Sequence, residues 1–135
     1  MTNEEQIQQK YMQFQMIQQQ LEEVNQHLGM LNEQSSELDI SIEAVKEIAK
    51  TKLDNEFLAP VANGIFIKGE LKENQKLVVN VGMNTTVEKT IPEVVVLLEE
   101  QKKEIIARIA ETDSIMMKMN SEAMKLFKEV EEEVQ

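Results

Sequence analysis

Between residues 57 and 90 the chain reads FLAPVANGIFIKGELKENQKLVVNVGMNTTVEKT, and this stretch decides the fold. Phe57-Leu58-Ala59-Pro60-Val61 is short and apolar, and its proline, which has no N–H to give a ladder, suits an edge strand. Asn63-Gly64 is a hairpin turn signal. Ile65 to Leu71 follows as a second strand with partial alternation, Lys72 to Lys76 is a polar loop, and Leu77-Val78-Val79-Asn80-Val81 is a third strand. Gly82-Met83-Asn84-Thr85 then turns into Thr86-Val87-Glu88-Lys89-Thr90. Two hairpins in sequence result. An isolated hairpin is marginal in water, yet these strands carry Leu58, Val61, Ile65, Phe66, Ile67, Leu77, Val79, Val81 and Val87. One chain offers no body on which to bury them. They are expected to pair with other subunits and close a shared intersubunit β-barrel that hides its edges.

Outward from the hairpins the punctuation disappears. Before residue 53 there is one glycine, Gly29, and no proline, and from Glu93 to the end there is neither. Ile7, Phe14, Leu21, Leu28, Ser35, Ile42 and Ala49 recur every seven residues, and Ile17, Val24, Leu31, Leu38 and Val45 stand three further on. That is an a/d heptad seam, with Lys10 and Ser35 as its polar members. Thr2 with Glu5 reads as a capping box that starts the helix near residue 3. At 1.5 Å per residue its roughly 50 residues extend about 75 Å.

The C-terminal segment repeats the pattern. Ile91, Leu98, Ile105, Thr112, Met119 and Leu126 are spaced by seven, with Val95, Lys102, Ile109, Met116, Ala123 and Val130 interleaved. Thr90 and Glu93 form a second capping box, and Pro92 falls in the first turn, where its missing N–H is harmless. The expected fold is therefore mostly α with a small β insert: a long antiparallel two-helix coiled coil joined by two β-hairpins. Its single domain, residues 1–135, comprises helix 1 (1–52), the double hairpin (53–90) and helix 2 (91–135). Folding back puts both termini together at one tip and sets Leu126 beside Ile17.

Composition narrows the chemistry. A chain of 135 residues is one domain's worth. It has no cysteine, no tryptophan and one histidine, His27, which removes disulfides, thiolate nucleophiles and Cys/His metal clusters. The formal charge of −11 repels phosphate backbones, so nucleic acid is not an expected partner. No apolar run approaches the ~20 residues needed to cross a bilayer, and the polar start of the chain is unlike a secretory signal. A cytoplasmic protein is expected. Glu22-Glu23, Glu99-Glu100 and Glu131-Glu132-Glu133 lie on convex, solvated helix faces rather than in a dry cleft. No phosphate-binding glycine pattern exists, and His27 has no scaffold on which to meet a nucleophile. No enzyme, metal or cofactor is expected. Nine of the first 26 residues are glutamine, a fair helix former read as exposed helix positions.

Apolar residues off the seam are the sharper signal: Tyr11, Met12 and Met16 on helix 1, and Met117, Met124 and Phe127 on helix 2. Methionine is flexible and polarisable, and recurs on surfaces that accept many shapes. A splayed tip adds Ile7, Phe14, Leu126 and Val130. The expected binding set is Ile7, Tyr11, Met12, Phe14, Met16, Met124, Leu126, Phe127 and Val130.

Helix, two hairpins, helix, with Phe57-Leu58-Ala59-Pro60-Val61, Gly64-Ile65-Phe66-Ile67-Lys68-Gly69-Glu70-Leu71, Val79-Asn80-Val81-Gly82 and Val87-Glu88-Lys89-Thr90, resembles the α class of prefoldin subunits, most like an archaeal one. The turn Gly82-Met83-Asn84-Thr85 departs from the family's glycine-richer pattern. The resemblance implies an ATP-independent molecular chaperone, an α2β4 heterohexamer with prefoldin β subunits. Its coiled-coil tips hold non-native polypeptides and pass them to a group II chaperonin. A structural coiled-coil tether or adaptor, and a filament-forming α-like prefoldin, are the alternatives.

Overall fold

A computed structural model describes residues 2–134, so the expected outer limits at residues 1 and 135 lie outside it. The element order is α1 (Asn3–Lys50), β1 (Glu56–Ala62), β2 (Ile65–Glu70), β3 (Lys76–Gly82), β4 (Thr85–Thr90) and α2 (Ile91–Val134). The expected class holds: two long helices with two antiparallel strand pairs between them. The chain divides into two compact units, one of residues 1–35 and 104–135 and one of residues 36–103.

In the first unit, the terminal unit, α1 begins where the backbone N–H of Glu5 donates to Thr2 Oγ1 at 3.3 Å, satisfying one of the orphan donors of a helix start. Burial then follows the heptad. Ile7, Lys10, Phe14, Ile17, Leu21, Val24, Leu28 and Leu31 are buried or half-buried, and every residue between them is exposed. On α2 the buried or half-buried residues are Ile105, Ile109, Thr112, Met116, Met119, Ala123, Leu126 and Val130, and every residue between them except Glu129 is exposed. The two stretches run antiparallel. Lys10 Nζ lies 2.6 Å from Glu133 Oε1, the Phe14 and Phe127 ring centroids are 5.9 Å apart, and Ile17 and Leu126 line one groove, the pairing expected from the spacing. Among the described residues of this unit only Leu31 and Ala123 are buried, because two helices cannot enclose a seam as a larger bundle does.

In the second unit, the hairpin unit, β1 pairs with β2 and β3 with β4, giving two separate two-stranded sheets. Glu56 faces Glu70 and Phe57 faces Gly69, with a register shift between Pro60 and Ala62. In the second pair Lys76 faces Thr90 and Val79 faces Val87, with a shift between Asn80 and Gly82. Gly64 takes φ of +75° in the first turn, while Met83 (+51°) and Asn84 (+58°) form the second. Two consecutive positive φ values are what a type I′ turn requires. The connection after α1 is closed by main-chain bonds from Asp54 N to Leu71 O (2.7 Å) and Leu71 N to Asn55 O (2.9 Å). Asn74 Nδ2 donates to Thr51 O at 2.9 Å, and Ile91 N donates to Gln75 O at 3.0 Å, seating the start of α2. Thr90 Oγ1 accepts from Glu93 N at 3.3 Å and lies 2.9 Å from the Glu93 carboxylate, the capping pair expected from sequence. Ile42, Ile91 and Val94 are buried. Val94 lies outside the seven-residue spacing, so the buried face of α2 widens next to the hairpins.

Candidate functional site

The terminal unit carries apolar side chains in two settings. Ile7, Phe14, Leu126 and Val130 are half-buried in the seam. Tyr11, Met12, Met16, Met117, Met124 and Phe127 stand off it, each more than half exposed. Such a group of large apolar side chains far exceeds the scattered singles of an ordinary surface.

Two grooves gather half of them. On one flank Met16 and Ile17 of α1 face Leu126 of α2 across a groove of about 480 Å³, edged by Gln13, Gln20 and Glu122. On another, Phe14, Leu21, Ala123, Met124 and Phe127 line a groove of about 400 Å³ with Gln18 and Asn120. Phe14 and Phe127 pack at an interplanar angle of 40°, a tilted arrangement favoured by the ring quadrupoles. Tyr11 and Met12 are exposed on α1, and Ile7 and Val130 remain in the seam, so the expected set is divided among grooves, open surface and seam. Ile115 was absent from that set. It lines a third groove with Val24, Thr112 and His27, and its position one residue from the seam at Met116 was the available signal.

Lys10 holds the end of this unit. Its ammonium reaches Glu133 at 2.6 Å and Glu129 at 3.5 Å. The hydrogen bond to Glu133 is the main reason its pKa lies above the ordinary lysine value, with both carboxylate charges adding to it. Glu129 and Glu133 are themselves half-buried. His27 is exposed. Among the described residues no three metal-ligating side chains converge, and no helix is long and apolar enough to cross a membrane.

The hairpin unit bears a second apolar surface. Leu58, Val61, Ile65, Phe66, Ile67 and Val81 are exposed, Val87 is 37% exposed, and Leu77 and Val79 are half-buried. Neighbours along a strand point to opposite faces, so exposure of Ile65, Phe66 and Ile67 together leaves both faces of β2 uncovered. Phe57, Val78 and Met83, outside the expected interface set, are exposed as well, the last 99%. Phe57 lies over its cross-strand partner: a Cβ on Gly69 would come within 2.7 Å of the ring. The whole chain exposes 10639 Å², whereas a folded monomer of this mass exposes about 7200 Å².

These surfaces define a class of protein: a helix–double-hairpin–helix subunit that leaves apolar area uncovered at the hairpins and beside the chain termini. A family model described as prefoldin subunit matches residues 17–135, and the chain belongs to that family. It is 31% identical over 84 residues to the prefoldin subunit alpha of Thermofilum pendens, covering 62% of this chain and 65% of that one, just under two thirds of the relative's length. It is 30% identical over 138 residues to the prefoldin subunit alpha of Methanococcus aeolicus, covering 97% and 89%. In fold it is similar to a chain of the filamentous prefoldin of Methanocaldococcus jannaschii, with a TM-score of 0.75 at 19% identity over 85% of this chain and 95% of that one. Prefoldins are chaperones built from several prefoldin subunits.

Proposed function

We propose that this chain is an α-type subunit of an ATP-independent holding chaperone of the cytoplasm, which captures non-native polypeptides at the terminal ends of its coils and delivers them to a group II chaperonin. Residues 1–135 act as one prefoldin-like domain. The hairpin residues Leu58, Val61, Ile65, Phe66, Ile67, Leu77, Val79, Val81 and Val87 join it to prefoldin β subunits as an α2β4 hexamer through a shared β-barrel. The observation that carries this reading is the pair of uncovered apolar surfaces, one on the hairpins and one beside the termini. The first fits obligate assembly, since lone two-stranded sheets do not persist in water. The second fits capture: several coil ends, each with a modest apolar patch, engage one unfolded chain, and multivalency multiplies weak affinities. No nucleotide or catalytic residue is involved, because the client is held and passed on.

The test is light scattering of a chemically unfolded client diluted into the assembled complex without nucleotide. Aggregation is expected to fall to baseline near one complex per client. Deleting residues 1–17 and 126–135 should restore aggregation while the mass of the assembly, less the deleted residues, stays unchanged. Full holding by the trimmed complex would remove the assignment to the coil ends. The filamentous state of the similar Methanocaldococcus jannaschii chain favours a second reading, in which the same hairpins join copies of this chain end to end. Mass measurement of the chain alone, with and without β subunits, separates the two.

A further inference from the structure

The glutamines of α1 have no part in that reading. From Gln6 to Gln20 the only charged residue is Lys10, which is engaged by Glu129 and Glu133. The α1 wall of both grooves is therefore electrically neutral, with amides set beside an apolar floor. Gln13 and Gln20 edge the groove of Met16, Ile17 and Leu126, whose α2 side carries Glu122, Lys125 and Glu129, and Gln18 edges that of Phe14 and Phe127, whose α2 side carries Asn120, Lys128 and Glu131. All three glutamines are exposed, and among the described residues no hydrogen bond occupies their amides. Spare amides do nothing for a two-helix coil, whose stability comes from the seam.

They do answer a difficulty of promiscuous capture. An unfolded segment that lays its apolar side chains on a groove floor also takes its own N–H and C=O groups out of water, and each unpaired group left so costs free energy. Carboxylates accept but cannot donate, and ammonium groups donate but cannot accept. The glutamine amide does both. We propose that Gln13, Gln18 and Gln20 bind the main chain of an extended client segment while the grooves take its apolar side chains. Affinity then resides partly in atoms common to every polypeptide, which is how a holder stays indifferent to client sequence. The inference rests on the capture reading above and specifies the chemistry of the same site.

The occupant is a non-native segment of net positive charge. The terminal unit holds thirteen carboxylates against five basic residues, a formal −8 of the chain's −11. A cationic segment is drawn to this unit and an anionic one repelled.

The test uses a lysine-flanked Leu/Val peptide and an analogue of identical side chains in which alternate amides are replaced by esters, removing N–H donors. Both are titrated by fluorescence anisotropy into the complex that the full chain forms. The amide peptide is expected to bind about tenfold more tightly than the ester, the effect of one or two neutral hydrogen bonds. The Gln13→Ala/Gln18→Ala/Gln20→Ala variant, in which alanine raises helix propensity, is expected to bind both peptides equally and weakly. That loss of the difference is the signature of a coupled pair. Equal binding of both peptides by the unaltered complex overturns the proposal, as does a variant that keeps the tenfold preference. Failure of both peptides to bind, or of the lysine-flanked peptide to outbind a glutamate-flanked one, removes the occupant itself. In the first case the capture reading falls with it. Concentration-dependent pairing of complexes that the triple substitution abolishes assigns the grooves to a second copy and also overturns the proposal.

Discussion

Met83 takes a conformation that methionine ordinarily avoids. Left-handed backbone brings Cβ against the following carbonyl, at a cost of about 1–2 kcal/mol for an ordinary residue and less for asparagine. Asn84 is suited to the second position of the turn; Met83, at +51° and 99% exposed, gains no contact that offsets the cost. Met83→Asn is therefore expected to stabilise the β3–β4 hairpin by about 1 kcal/mol, read as slower amide hydrogen exchange along both strands. Unchanged exchange would place the strain elsewhere. Sequence showed that a turn lies between Gly82 and Thr85, but turn type depends on two φ angles that Met83 does not advertise. Asn63-Gly64 was readable because its second residue is the one that accepts φ of +75°. Gly69 reads only as a glycine inside a strand until its register with Phe57 is known, and that register shows the ring occupying the place of the missing side chain.

At the scale of the helix pair, the seam was legible because a period of seven survives any uncertainty in where a helix ends. Burial alternates as the heptad dictates from Ile7 to Val45 on α1 and from Leu98 to Val130 on α2. What no local pattern contains is the partner of Lys10, which lies 123 residues away. Lysine at a seam position reads as a defect until Glu129 and Glu133 are seen to meet it. Its raised pKa fixes the sign of the pH response. The pair's stabilisation is complete below the ordinary lysine value of 10.5 and is lost as pH rises through the higher folded-state value. Helicity of the terminal unit is thus expected to be flat from neutrality to about pH 10 and to fall above it. Lys10→Glu, which sets three carboxylates together, should produce that loss at neutral pH, and added salt should partly reverse it. Circular dichroism and amide exchange of residues 3–14 and 126–133 measure both. A Lys10→Glu protein with unaltered protection would show that the pair carries no stability.

For the whole molecule, charge is unevenly shared. The terminal unit has formal −8, leaving −3 on the hairpin unit from twelve acidic and nine basic residues. Screening lengths shorten from about 10 Å at 0.1 M salt to about 3 Å at 1 M. Capture of a basic unfolded client is accordingly expected to slow several-fold between low and high salt, while assembly through the apolar hairpins holds or strengthens. Stopped-flow capture rates beside sedimentation of the complex distinguish the two, and salt-independent capture would remove the electrostatic share. At this scale the fold was almost wholly readable, since two uninterrupted heptad segments around two hairpins leave few arrangements. The functional surfaces were readable only as residue types. Off-seam methionines announce surplus apolar area, but the division into two grooves depends on which α2 residues stand opposite Met16 and Phe14. The strands lack clean alternation because apolar residues stand on both faces, as Ile65, Phe66 and Ile67 do on β2.

The distance along the chain between Lys10 and Glu133 has a consequence during biosynthesis. When α1 emerges from the ribosome, its complementary seam is still unmade. Synthesis proceeds at about 5–20 residues per second, so the apolar stripe from Ile7 to Val45 waits on the order of ten seconds for its counterpart. Throughout that interval the nascent chain presents the kind of surface that the finished protein is proposed to shield in others. Polysomes translating its message are thus places where such helices meet one another before they meet their own α2, and the polar Lys10 and Ser35 in the stripe disfavour that premature partnership.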